Sequence, residues 1–108
     1  MTYKGSGQTA ITNTICAEEV RVSLSGAPCW PDYVFNENYQ LQSLEEIEKF
    51  IKQNKHLPNL PTSEEVSKNG IELGVMNTIL LQKIEELTLH LIQLKKENAE
   101  IKKIINKE

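Results

Sequence analysis

The residues of this sequence that could carry chemistry are two histidines, two cysteines and a few serines. His56 stands just before the pair Leu57 and Pro58, and His90 stands in a long segment of aliphatic and charged residues. Neither histidine has Cys, Asp or Glu residues at the spacings that zinc sites use. We therefore predict structural or solvent-exposed histidines, and neither a metal ion nor a cofactor.

The possible nucleophiles also lack a catalytic setting. Cys16 and Cys29 do not form a Cys-x-x-Cys pair, which favours two partly buried thiols. Ser23 and Ser25 belong to an extended segment rather than a nucleophile elbow, and the five glycines are too scattered for a phosphate-binding loop. The sequence predicts no catalytic residue, and we expect a protein that is not an enzyme.

Composition narrows the possible partners. The chain has 108 residues, of which 39% are hydrophobic and 6% aromatic, and its formal net charge is -3. This size favours one small domain. No basic field indicates a nucleic-acid or anionic-membrane partner, and no apolar run reaches the roughly 18 to 20 residues that span a bilayer.

The N-terminal half contains extended and aromatic segments. Polar and apolar residues alternate after Glu18, which predicts a half-buried strand over residues 17–24. Pro31 excludes a central strand for residues 30–35, so a short extended piece or turn is expected there. The aromatic side chains are expected to pack together; these are Trp30, Tyr33, Phe35 and Phe50.

Two short helices are marked by their capping residues. Ser43 and Glu46 have the spacing of a capping box, followed by apolar residues at helical intervals, which predicts a helix over residues 44–54. The proline-rich residues 55–61 must turn without forming a helix. Thr62 and Glu65 begin a second, shorter helix, which Asn69 and Gly70 end.

The last third of the chain has neither glycine nor proline from Val75 onwards, which predicts one long helix. At about 1.5 Å per residue this helix would be roughly 50 Å long, which is longer than the diameter of a globular protein of this size. The rest of the chain therefore cannot cover it completely.

Apolar residues repeat along this helix at alternating intervals of three and four, in a heptad seam that only two asparagines interrupt. The seam consists of Leu73, Asn77, Leu80, Ile84, Leu87, Leu91, Leu94, Asn98, Ile101 and Ile105. The alternative is an amphipathic helix lying on its own domain, but residues 1–70 offer too little apolar surface to cover it. Eight apolar seam residues at about 2 kcal/mol each give roughly 15 kcal/mol of gross burial per chain on association. We therefore predict a coiled coil.

The number of strands follows from two opposing signals. Asparagine at a positions, with leucine at d, favours two strands. Further apolar residues lie beside the seam and favour a wider contact; they are Ile79, Leu81, Leu89 and Ile92. They could be buried in a three-stranded core. Alternatively, the helix of residues 44–54 and the aromatic cluster could fold back onto the stalk and cover them. Beyond about residue 93 charged residues replace them, and the stalk is expected to project bare. We predict a homotrimer, with a dimer less favoured.

An ordered series of short motifs resembles the C-terminal module of tail-fibre-like and surface proteins from Bacteroidetes bacteria and their phages. The motifs are Trp-Pro-Asp-Tyr-Val-Phe at 30–35, Tyr-Gln-Leu at 39–41, Ser-Leu-Glu-Glu-Ile-Glu at 43–48, Asn-Lys-His-Leu-Pro-Asn-Leu-Pro at 54–61, Asn-Gly-Ile-Glu-Leu-Gly at 69–74 and Lys-Ile-Glu-Glu-Leu-Thr-Leu at 83–89. The likeness covers about residues 17–95. Such ends are similar in placement to the intramolecular chaperone domains of phage endosialidases and tail spikes.

The resemblance implies a trimerisation and folding-registration cap at the C-terminus of an elongated extracellular fibre, with an upstream fibre shaft as a partner. Two alternatives remain open. A self-cleaving chaperone would need a Ser-Asp junction motif, which the sequence lacks. A receptor-binding tip would use the loop of residues 56–61 as its contact surface for a host receptor or glycan.

The expected fold class is mostly α, a homotrimeric stalk formed by a parallel coiled coil with two short helices and a small N-terminal β or extended segment. Residues 1–16 would be a linker or the end of a fibre shaft, and residues 17–42 a β and aromatic segment. Residues 43–74 would hold the short helices and the proline-rich turn, and residues 75–108 the coiled-coil helix.

Overall fold

A computed structural model describes residues 2–3, 9–23 and 30–106, and most of this part is helical. In chain order the elements are strands β1 (Thr2–Tyr3) and β2 (Thr9–Ala10), a 3-10 helix (Pro31–Phe35), and helices α1 (Leu44–Asn54), α2 (Ser63–Asn69) and α3 (Leu73–Asn106). The predicted helical fold class is confirmed.

The β structure lies nearer the N-terminus than predicted. β1 and β2 pair antiparallel, with Thr2 opposite Ala10 and Tyr3 opposite Thr9, inside the segment expected to be a linker or the end of a fibre shaft. Residues 17–23 form no strand, because no second extended segment of the described chain lies beside them to pair. The predicted strand is therefore wrong over these residues, and its last residue, Leu24, lies outside the described part, as do Ser25 and Cys29.

The aromatic segment, residues 30–39, begins with a 3-10 helix instead of the expected extended piece or turn. Pro31 occupies the first turn, where its fixed φ suits a helix and its missing N–H needs no partner. The turn closes when the Asn36 amide donates to the Tyr33 carbonyl oxygen at 3.1 Å. The proline that excludes a central strand here begins a helical turn.

α1 has the predicted bounds. The Ser43 hydroxyl accepts from the Glu46 amide at 3.2 Å. Glu46 does not complete the predicted capping box, because its carboxylate accepts from the Ser43 hydroxyl instead of the Ser43 amide. Lys55 ends the helix in the left-handed region, at φ 61°, and its amide donates to Ile51.

α2 is the short helix that the sequence predicts. Thr62 and Glu65 form a complete capping box, in which each side chain accepts from the other residue's backbone amide. Gly70 ends the helix at φ 68°, a backbone conformation that side chains with a Cβ rarely adopt.

α3 begins two residues before the predicted Val75 and continues to Asn106. The single chain is elongated, with extents of 72 × 29 × 29 Å. Within the described residues, no helix combines the length and the apolar character needed to cross a membrane.

The described residues of the single chain form almost no apolar core. Val34 is the one hydrophobic side chain that the described residues bury, at 1% exposure, and Pro31 is buried beside it. A chain of this size normally needs a substantial apolar core or another source of stabilisation, such as association.

Candidate functional site

The heptad seam lies exposed along α3. Ile84 is 57% exposed and Leu91 is 63% exposed, and the other apolar seam residues are exposed as well. The two asparagines of the seam, Asn77 and Asn98, are also exposed. The structure therefore places the predicted oligomerisation residues on one continuous, uncovered stripe.

The opposite face of α3 is covered by the chain itself, although it is less apolar. Gly74, Thr78 and Glu85 are its buried residues, and they repeat at helical spacing. The Thr78 hydroxyl donates to the Gly74 carbonyl oxygen at 3.0 Å, so this buried polar group is satisfied within the helix. Ile84 and Glu85 show the contrast, because the isoleucine is exposed and the adjacent carboxylic acid is buried at 8% exposure.

The 3-10 helix provides this cover. It packs against α3 through its small apolar residues, Pro31 and Val34. The rings expected to pack lie farther out, with Trp30 at 56% exposure and Phe35 and Tyr33 also exposed. The small residues of the 3-10 helix allow its backbone to approach the small residues of α3, whereas bulky rings would hold the two elements apart.

Tyr39 fixes the end of the aromatic segment to α3. Its hydroxyl donates to the Glu86 carboxylate and accepts from the Gln82 side-chain amide at 3.2 Å. Lys83 lies 3.5 Å from the same carboxylate. Desolvation, reinforced by the hydrogen bond to Glu86, raises the pKa of Tyr39 above its usual 10.0.

Glu85 is the unusual group on the covered face. Its Oε1 atom is buried and has no hydrogen-bond partner among the described residues. Desolvation, followed by the nearby charge of Asp32, raises the pKa of Glu85 above its usual 4.5. Both effects favour the protonated acid where the aromatic segment packs on α3.

A small apolar groove lies beside the seam, between α1, the proline-rich loop and α3. Leu44, Ile47, Leu57 and Pro58 form one wall. On α3 the groove is lined by Leu87 and His90, together with Lys83 and Glu86. Because Leu87 is a seam residue, the groove and the seam form one continuous apolar surface.

The residues beside the seam fall into two groups. Ile79, Leu81 and Leu89 are half-buried by the chain's own folding, which agrees with the expectation that other segments fold back onto the stalk. Ile92 remains 46% exposed, and Ile104 is exposed near the end of the helix. From Leu91 to Asn106 every residue is exposed, so this part of the stalk projects bare as predicted.

The residues first considered for chemistry are dispersed. The His56 ring packs edge-on against Phe50 at 5.3 Å, and its Nδ1 donates to the Leu57 carbonyl oxygen at 2.8 Å. His90 lines the groove. Cys16 is exposed, so the prediction of a partly buried thiol is wrong for this residue. No group of three or more His, Cys, Asp or Glu side chains converges among the described residues.

Sequence reasoning missed the covered face of α3 and its contacts. Gly74, Thr78 and Glu85 repeat at helical intervals, but a search for apolar periodicity does not select them. The hydrogen bonds of Tyr39 join residues more than 40 positions apart and carry no local signal. The small pair Gly74 and Thr78, one turn apart, is the one signal that could have indicated a close helix contact.

Comparison with protein-family models, with curated proteins and with solved structures finds no match to this chain.

Proposed function

We propose that this protein is a homotrimerisation module, in which the α3 helices of three copies form a parallel coiled coil. The observation that carries the proposal is the inverted burial of α3. The chain covers the face with Gly74, Thr78 and Glu85 and leaves the leucine and isoleucine seam open. An apolar heptad stripe in water is stabilised when an identical stripe packs against it.

The energetics favour association. Apart from Val34, the described residues bury no hydrophobic side chain completely, so one chain gains little from burying a core. Association would bury the eight apolar seam residues of every copy. That gross gain, of roughly 15 kcal/mol per chain, is the term that opposes the loss of translational and side-chain freedom on association.

Three strands are proposed because the exposed apolar surface is wider than a two-stranded seam. The aromatic segment folds back onto α3 and accounts for part of the wide apolar surface that the sequence of this helix indicates. It leaves Ile104 exposed outside the seam, at a position flanking the seam residue Ile105, where a third helix provides additional cover.

The resemblance described above supplies the proposed setting, the C-terminus of an elongated extracellular fibre. Extended β fibres have many non-local contacts and fold slowly. A helical bundle forms from local contacts and would bring three chains together in register, which raises the effective concentration of their remaining segments. In this setting the module would join and align the chains.

Sedimentation equilibrium of the purified chain at micromolar concentration tests the proposal. We expect a mass three times that of the chain. A monomer would overturn the proposed function, and a dimer would overturn the number of strands.

Strand direction needs a separate measurement. Asn98→Cys in a background of Cys16→Ser and Cys29→Ser places one thiol in the bare stalk. In a parallel, in-register coiled coil the thiols of neighbouring copies meet and oxidise to an interchain disulfide. Glu100→Cys, placed on the outer side of the same turn, is the matched control and should stay reduced. Oxidation of Glu100→Cys but not of Asn98→Cys would contradict the assigned seam.

A further inference from the structure

We propose that the groove between α1, the proline-rich loop and α3 of one copy receives Ile92 of a neighbouring copy. The interface would then extend beyond the seam, and α1 with its loop would hold the adjacent stalk. This inference rests on the proposed function, because it requires a second copy with parallel α3 helices.

The groove has the shape and chemistry for an aliphatic side chain. Its wall of Leu44, Ile47, Leu57 and Pro58 is apolar, and Leu87 extends it into the seam. Leu44 and Leu57 are exposed in the single chain although each lies beside other apolar residues. Nothing among the described residues fills the groove, and its continuity with the seam makes a second copy the occupant that reaches it directly.

The heptad register identifies the segment of the neighbour that faces the groove. With Ile84 at a and Leu87 at d, Lys83 and His90 occupy g positions, and both line the groove. In a parallel coiled coil, a g residue faces the e residue of the following heptad on the neighbouring helix. The facing e residues are Thr88 and Lys95 of the neighbouring copy.

Ile92 lies on that side of the neighbouring helix, one turn from each of these e residues. It is 46% exposed and stands outside the seam. The empty apolar groove of one copy would therefore face an exposed aliphatic side chain, Ile92, on the helix of the neighbouring copy.

Cross-linking between two differently labelled chains tests the contact. In a background of Cys16→Ser and Cys29→Ser, one chain carries Leu57→Cys and the other carries Ile92→Cys. The two are mixed, unfolded and refolded together, and treated with a short bismaleimide. We expect a heterodimeric cross-link, which can arise only between copies because each chain has one thiol. Lys52→Cys, on the charged side of α1, replaces Leu57→Cys as the matched control and should give little product.

Association affinity provides a second measurement. Ile92→Ala should weaken association at least about tenfold, because it removes a buried aliphatic contact between copies. Adding Leu57→Ala to Ile92→Ala should weaken association little further, since both substitutions remove the same contact. Ile92 is exposed in the single chain, so its replacement leaves the chain's own packing unchanged.

The outcomes separate this inference from the function on which it rests. A trimer that gives no cross-link between positions 57 and 92, and in which the two alanine substitutions act independently, would overturn the groove contact and leave trimerisation intact. A chain that sediments as a monomer would overturn both.

Discussion

The two faces of α3 differ in the opposite sense from the faces of an ordinary surface helix. An amphipathic helix normally turns its apolar stripe to its own core and its polar residues to water. Here the chain covers Gly74, Thr78 and Glu85 and exposes the leucines and isoleucines of the seam. The difference separates two surfaces of the helix, a close contact of small residues within the chain and an uncovered apolar seam that we propose for contact between chains.

The comparison also changes along the helix. Between Leu73 and His90 the covered face carries the aromatic segment and the groove, whereas every residue from Leu91 to Asn106 is exposed. The seam continues through both parts. In the second part no other described segment of the chain lies against the helix, so the apolar stripe there is uncovered, as the proposed association requires.

Breaking the seam should have the largest effect. Ile84→Lys combined with Leu91→Lys removes two apolar residues per copy, each contributing about 2 kcal/mol, and would place a charge in a desolvated interface. We expect association to weaken more than about a thousandfold, so that the protein sediments as a monomer. Gln93→Lys, an exposed change outside the seam, is the control and should leave the mass unchanged. Retention of the wild-type mass by the double variant would show that the seam is not the interface.

Loosening the covered face should have a smaller effect. Val34→Ala removes two methyl groups from the one fully buried hydrophobic side chain of the described residues and should lower the free energy of unfolding by about 2 kcal/mol. The readout is urea denaturation followed by the fluorescence of Trp30, which adjoins the 3-10 helix. The oligomeric mass should persist, because the seam lies on the other face.

Phe35→Ala is the matched control for this change, since Phe35 is exposed in the same short helix. It should alter the free energy of unfolding much less than Val34→Ala. An equal or larger loss with Phe35→Ala would mean that the exposed ring, and not the small residues, holds the aromatic segment in place.

The parts of the fold that sequence predicts correctly are those governed by local rules. The bounds of α1 and α2 follow from Ser43, Thr62 and Gly70, whose capping roles depend only on nearby backbone groups. The length of α3 follows from the absence of glycine and proline after Gly74. The exposed seam was predictable for the same reason, because apolar periodicity is a property of one helix.

The remaining features depend on contacts between distant segments. A strand needs a partner, and alternation after Glu18 does not show whether one is present. The burial of Glu85 depends on where the 3-10 helix packs, and sequence reasoning assigned packing to the rings because large apolar residues usually carry it. Pro31 and Val34 replace them because two backbones can approach closely only across small side chains.

The smallest predicted effect concerns pH. The pKa of Glu85 is raised in the folded chain, mainly by desolvation, so the folded state binds this proton more tightly than the unfolded state. Its contribution to stability is then fully present below the unfolded value of 4.5 and is lost as pH rises through the folded pKa. Glu85→Gln should remove this decline and stabilise the chain near neutral pH, because an amide needs no proton to stay neutral. The measurement is urea denaturation of wild type and Glu85→Gln, followed by Trp30 fluorescence, from below pH 4.5 to neutral pH. The exposed substitution Glu100→Gln is the control. If Glu85→Gln and wild type lose stability in parallel as pH rises, the carboxyl group is ionised without penalty and the covered face is open to water at that point.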